Sequence, residues 1–151
     1  PDEATRSAGL DAFSAMGEKA KPHAAKIAAL LKDDSADVRT GAIGVLVGLK
    51  DNSPEVVQEL SAMASGDADK NVQESALVAL GELGANDAFV KGCKAILTGD
   101  DAERKSNVIM TIDQMPGKES VTALKAELEA IAGGSDEDLA TAAKGALKKL
   151  E

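Results

Sequence analysis

The chain has 151 residues with a formal charge of −9, and its only aromatic side chains are Phe13 and Phe89, with no Trp or Tyr. A pI near 4.6 repels phosphate instead of releasing counterions from it, so no nucleic acid is expected as a partner. One Cys and one His provide neither a disulfide nor a metal-ligand cluster, no apolar run reaches the length of a membrane span, and no signal peptide or lipidation motif is visible.

The first element, over 2–16, carries the pattern Thr5-Arg6-x-x-Gly9-x-x-x-Phe13-x-x-Met16. It returns as Val38-Arg39-x-x-Ala42-x-x-x-Leu46-x-x-Leu49, Val72-Gln73-x-x-Ala76-x-x-x-Leu80-x-x-Leu83, Arg104-Lys105-x-x-Val108-x-x-x-Ile112-x-x-Met115 and Leu139-Ala140-x-x-Ala143-x-x-x-Leu147-x-x-Leu150. The starts lie 32 to 35 residues apart, too long for a heptad and right for a helical hairpin. Between these second helices the spacing predicts first helices over 22–31, 54–64, 87–97 and 119–132, with Ile27, Leu60, Cys93 and Leu128 at one register position. The fold class expected is all-α: one domain over 1–151, divided into a half repeat (1–17) and repeats 18–50, 51–84, 85–117 and 118–151 of an α-solenoid. With so few aromatics, the core must be filled by Ala, Leu, Val, Ile and Met, and small side chains allow close helix packing.

Acidic turns punctuate the hairpins: Asp33-Asp34-Ser35-Ala36-Asp37, Gly66-Asp67-Ala68-Asp69, Gly99-Asp100-Asp101 and Gly133-Gly134-Ser135-Asp136-Glu137-Asp138. In this reading Gly closes the first helix in a left-handed conformation and Asp or Ser caps the second. Pro22 and Pro54 suit a first helical turn. Leu10, Ile43, Leu77 and Ile109 share one place on the second helices, but the last repeat has Lys144 there and Lys148 one turn on. Such a polar outer face is what a terminal repeat needs. At the other end, 2–16 is a second helix without a first; it is read as a one-helix cap, the alternative being lost upstream sequence.

These hairpins, the Val38–Leu49 pattern and the ending Leu80-Gly81-Glu82-Leu83-Gly84 resemble HEAT repeats, in particular the short bacterial HEAT-like type also found in phycobilin lyases. The resemblance covers nearly the whole chain and implies a right-handed superhelix whose second helices line a concave face. It also implies a ladder between an acidic turn residue and the Arg after the Val. Arg6 and Arg39 match, Lys105 is a conservative substitute, and Gln73 and Ala140 depart, so an interrupted ladder is expected.

Candidate chemistry is sparse. Cys93 shares the register of core residues and reads as a small buried hydrophobe, and His23 follows Pro22 without a second ligand at helical spacing and reads as a surface residue. Asp67-Ala68-Asp69-Lys70-Asn71 imitates the start of a calcium loop, but Val72 replaces the needed Gly and Val78 the closing Glu. No catalytic residue, metal or cofactor is assigned. Gly41, Gly44 and Gly48 share a stripe of one helix at a cost of about 1 kcal/mol each relative to Ala, so either a neighbouring helix approaches closely or a ligand does. The row through Gly44, Val78 and Met110, with Glu82 and Gln114 one turn on, varies between repeats as a ligand-facing surface would, and forms the candidate binding groove.

The function expected is a non-enzymatic scaffold that takes a protein or peptide on its concave face. A different class is a structural subunit assembling head-to-tail through Leu10, Phe13 and Met16 at one end and Lys144 and Lys148 at the other, a homo-oligomer or filament. The resemblance alone adds a lyase-like or chaperone accessory, against which the shortage of aromatic and His contacts for a tetrapyrrole counts. The compartment expected is cytoplasmic or secreted.

Overall fold

A computed structural model describes residues 2–115 and 117–151. They form α1 (Glu3–Met16), α2 (Ala24–Ala29), α3 (Ala36–Gly48), α4 (Pro54–Gly66), α5 (Lys70–Glu82), α6 (Asn86–Leu97), α7 (Ala102–Gln114), α8 (Glu119–Ala123), α9 (Lys125–Ala132) and α10 (Glu137–Leu147), with 3-10 turns at Gly17–His23, Leu30–Lys32 and Lys148–Leu150. No strand occurs among the described residues. The fold is all-α, built from HEAT-like helical hairpins.

Most of the second helices start at an oxygen side chain that satisfies their free amides. The backbone N–H groups of Thr5, Arg104 and Leu139 donate to the carboxylates of Asp2, Asp101 and Asp136 at 2.8, 3.1 and 3.0 Å. At α5 the Asp69 carboxylate accepts from Asn71 and Val72, and at α3 the Ser35 hydroxyl accepts from Val38. Each such cap contributes about 1 kcal/mol.

The chain divides into two compact units, Pro1–Ala85 and Asn86–Glu151. In the first, α2 pairs with α3 and α4 with α5, and the second helices α1, α3 and α5 lie side by side in that order. In the other, α6 pairs with α7 and α9 with α10, and α7 packs on α10. The rows read from the repeat form the cores: Ile27, Leu60, Cys93 and Leu128 are all fully buried. Ala42, Ala76 and Ala143 are equally inaccessible, and their small size is what lets the helices approach one another. Burying one Leu, Val or Ile side chain is favourable by about 1.5–3 kcal/mol, and these rows repeat that gain in every hairpin.

Three local expectations are corrected. The stretch expected as one helix over 22–31 is instead a 3-10 turn, the short α2 and a second 3-10 turn. Pro22, lacking an N–H, lies inside the first of these turns, near its end. His23 is half-buried with its ring 5.4 Å from that of Phe13, so it is not a simple surface residue.

The third correction concerns glycine. Within the hairpins the chain leaves Leu30–Lys32 and α4 directly into extended Asp33 and Asp67, and Gly66, Gly99 and Gly133 do not take a positive φ. Positive φ falls at Gly17, Lys50, Gly84 and Gly117 instead, 33 or 34 residues apart, each after a second helix. At Gly84 and Lys50 the backbone bonds are those of a Schellman motif: Ala85 N–H to Leu80 C=O with Gly84 N–H to Gly81 C=O, and Asp51 N–H to Leu46 C=O with Lys50 N–H to Val47 C=O. Lys50 holds φ at 55° without being glycine.

Candidate functional site

Asp33 and Asp67 end their first helices in the same conformation and are held in the same way. Arg6 donates from Nε and Nη2 to the two oxygens of Asp33 at 2.6 and 2.7 Å, and Arg39 donates from Nε and Nη2 to those of Asp67 at 2.9 and 2.6 Å. Arg39 also reaches back through Nη1 to the carbonyl oxygens of Asp33 and Asp34. One guanidinium therefore ties its own turn to the next. Asp33 is held below the usual carboxylate range by the Arg6 hydrogen bonds and the Ser35 N–H. At Asp67 burial pushes the carboxyl up, but Arg39 and the Asp69 N–H outweigh it and the net shift is downward. Gln73 has no charge to continue the series, and it donates from Nε2 to the Asp67 carbonyl oxygen at 2.5 Å.

Three of the concavities on the described surface differ in how their polar groups are used. One of about 460 Å³ surrounds Arg39, Asp33 and Asp67, and these three charges are already paired. A larger one of about 560 Å³, in the Asn86–Glu151 unit, is bordered by Leu97, Lys105, Glu127, Ile131, Asp136 and Leu139. Its carboxylates are also committed: Glu127 pairs with Lys94 at 2.6 Å, a hydrogen bond that holds it below its usual range, and Asp136 caps α10.

The third, of about 300 Å³, lies between the second helices α3 and α5, and its lining includes Ile43, Gly44, Val47, Val78 and Ala79, with Glu74 and Glu82. Neither glutamate forms an ion pair among the described residues. A Cβ built on Gly44 would meet nothing within 4 Å, nor would one on Gly48, whereas one on Gly41 would come within 3.0 Å of Leu10 Cδ1. The glycine stripe thus has two roles: Gly41 admits a neighbouring helix, while Gly44 leaves an open floor.

A family model described as HEAT repeats matches residues 24–113, from α2 to near the end of α7. The chain belongs to the HEAT-repeat family. No curated protein matches it. HEAT repeats generally serve as protein-interaction scaffolds, and the bidentate Arg rungs are the ladder that this HEAT chain interrupts at Gln73.

Of the groove residues expected from the sequence, Gly44, Val78 and Glu82 line one concavity of the HEAT hairpins. Met110 and Gln114 belong to the other unit, on α7, where Met110 is 56 % exposed and Gln114 is exposed. Of the assembly residues, Leu10 is buried, Phe13 is half-buried, and Met16, Lys144 and Lys148 are exposed. Ile43, which the sequence places in the row that packs on the next repeat, and Val47 one turn on also line this concavity, and so does Glu74, which sequence reading overlooked; its i+4 and i+8 spacing to Val78 and Glu82 was the available signal. Lys149, which the sequence groups with Lys144 and Lys148 as a charge of the last helix, instead donates from its ammonium to the carbonyl oxygens of Asp113 and, at 3.2 Å, Met115, closing the C-terminus of α7.

Proposed function

We propose that this HEAT-repeat chain is a non-enzymatic scaffold that binds a protein or peptide segment in the concavity between α3 and α5. The observation that carries this reading is the open, apolar floor at Gly44 and Val78, where a helix interior keeps a glycine that no neighbouring atom requires. The residues with nucleophilic or acid–base capacity support it from the other side. Cys93 is fully enclosed, its thiol pushed up to about 12 by burial, which removes the thiolate that a nucleophile needs. His23 lies against Phe13 with the two rings tilted by 39°. The remaining groove residues, Met110 and Gln114, extend the proposal to an exposed face of α7.

The test is capture of partners by the immobilised chain, comparing native protein with Val78→Asp, Met110→Asp and the double variant. The expected outcome is that Val78→Asp loses the captured partners while the helical circular dichroism is unchanged. Loss with Met110→Asp as well would give α7 a contact of its own with the partner. Unaltered capture by a folded double variant removes both faces from consideration.

A further inference from the structure

Resting on that reading, we infer that the occupant of the α3–α5 concavity is a basic peptide segment that places one aliphatic side chain on the floor, with lysine or arginine on either side of it.

The floor is apolar: Ile43, Gly44, Val47 and Val78 face a volume of about 300 Å³. A side chain the size of Leu entering it would be removed from water, which favours its binding. Gly44 sets the depth, because any other residue would place its Cβ in the open space. The rim supplies the sign of the charge. Glu74 and Glu82 stand on α5 eight positions apart, which at about 1.5 Å per residue separates them by about 12 Å. Both are exposed, and neither has an ion-pair partner among the described residues. No Lys or Arg lines the concavity.

An acidic or neutral partner would bring further negative charge, or nothing, to two uncompensated carboxylates on a chain of net charge −9. A basic one compensates both. The separation also restricts geometry, because two cations flanking a central apolar residue must lie about 12 Å apart, roughly two turns of helix or four residues of extended chain. Charge complementarity of this kind acts chiefly on association rate and specificity, while the apolar anchor resists dissociation.

The experiment is fluorescence anisotropy of three labelled peptides against the full chain. One alternates leucine with lysine at this spacing, a second replaces its leucines with glycine, and a third replaces its lysines with glutamate. The basic leucine peptide should bind, and the other two should bind at least tenfold more weakly. Glu74→Gln and Glu82→Gln should each weaken binding about twofold to fivefold, the range for an exposed ion pair, and about 1 M salt should remove that difference by screening. Val78→Asp should abolish binding.

If the acidic leucine peptide binds equally well and Val78→Asp still abolishes it, the basic partner is wrong and the groove reading stands. If the basic peptide binds with Val78→Asp as well as with native protein, its site is elsewhere and both fail. No binding of the basic peptide at millimolar concentration overturns the inference, leaving the capture experiment to decide the groove. Sedimentation that shows concentration-dependent dimers abolished by Val78→Asp would assign the floor to a second copy and equally overturn it.

Discussion

Replacing Gly44 with alanine should stabilise the protein, and the expected size follows from what surrounds the site. Gly44 lies inside the 13-residue α3, where glycine costs about 1 kcal/mol relative to alanine through backbone entropy. The added methyl group meets no atom within 4 Å, so nothing offsets the gain. Stability should rise by about 1 kcal/mol, equivalent to a few degrees in Tm for a chain of this length. Gly41→Ala gains the same propensity, but its Cβ would sit 3.0 Å from Leu10 Cδ1. Leu10 is buried and must give by a few tenths of an ångström, and an off-rotamer leucine costs about 0.5–1.5 kcal/mol, so the net change should be near zero. The assay is urea unfolding followed by far-ultraviolet circular dichroism, comparing midpoints at unchanged slope. The reasoning fails if Gly44→Ala destabilises, because a neighbour would then have to occupy the space that the proposed ligand needs. Equal gains at both positions would refute the close approach of Leu10.

The same unfolding assay addresses the ladder. Arg39→Ala strands the Asp67 carboxylate, whose side chain is only 7 % exposed, and should cost about 2 kcal/mol, below the full penalty of a buried pair because the site lies at a turn. Asp33 and Asp67 titrate below their usual 3.8, so the folded chain binds fewer protons than the unfolded one near that pH. Their contribution should be complete above about pH 4 and lost as pH falls through the lower folded values, and Arg39→Ala should flatten that acid limb. Cys93 shifts the other way. Its thiol, raised from 9.0 to about 12, contributes stability that is complete below about pH 9 and lost above it, and Cys93→Ala should flatten the alkaline limb. Thiol reagents should label native Cys93 about a thousandfold more slowly than in denaturant, at the rate of opening; rapid labelling of native protein would contradict its burial.

The hairpins were legible because burial is periodic. A residue that must be enclosed in each repeat, such as Ile27, Leu60, Cys93 or Leu128, leaves the same mark every 33 to 35 positions. Gln73 was legible for the opposite reason, since a missing charge at a position where Arg6, Arg39 and Lys105 are cationic shows as a gap. The turns were less readable. Asp33 and Asp67 look like helix caps in sequence, yet the same carboxylates are the acceptors of Arg6 and Arg39, a use that depends on a residue 27 or 28 positions away. The left-handed position at Lys50 could not be read, because its side chain is not the one that conformation favours. Gly41 and Gly44 are identical letters three apart, and only the approach of Leu10 separates a packing glycine from an open one.

Arg6 and Arg39 make interchangeable joints. Each grips a carboxylate 27 or 28 positions ahead with the same pair of nitrogens, so loss of the segment from Asp33 to Gly66 would deliver Asp67 to Arg6 with the chemistry matched. Copy number in this part of the gene can therefore change by whole repeats without leaving an orphaned ion. Gln73 does not share that freedom. A duplication that placed it before a second Asp67 would present a carboxylate to an amide, and the unmatched charge would mark the event.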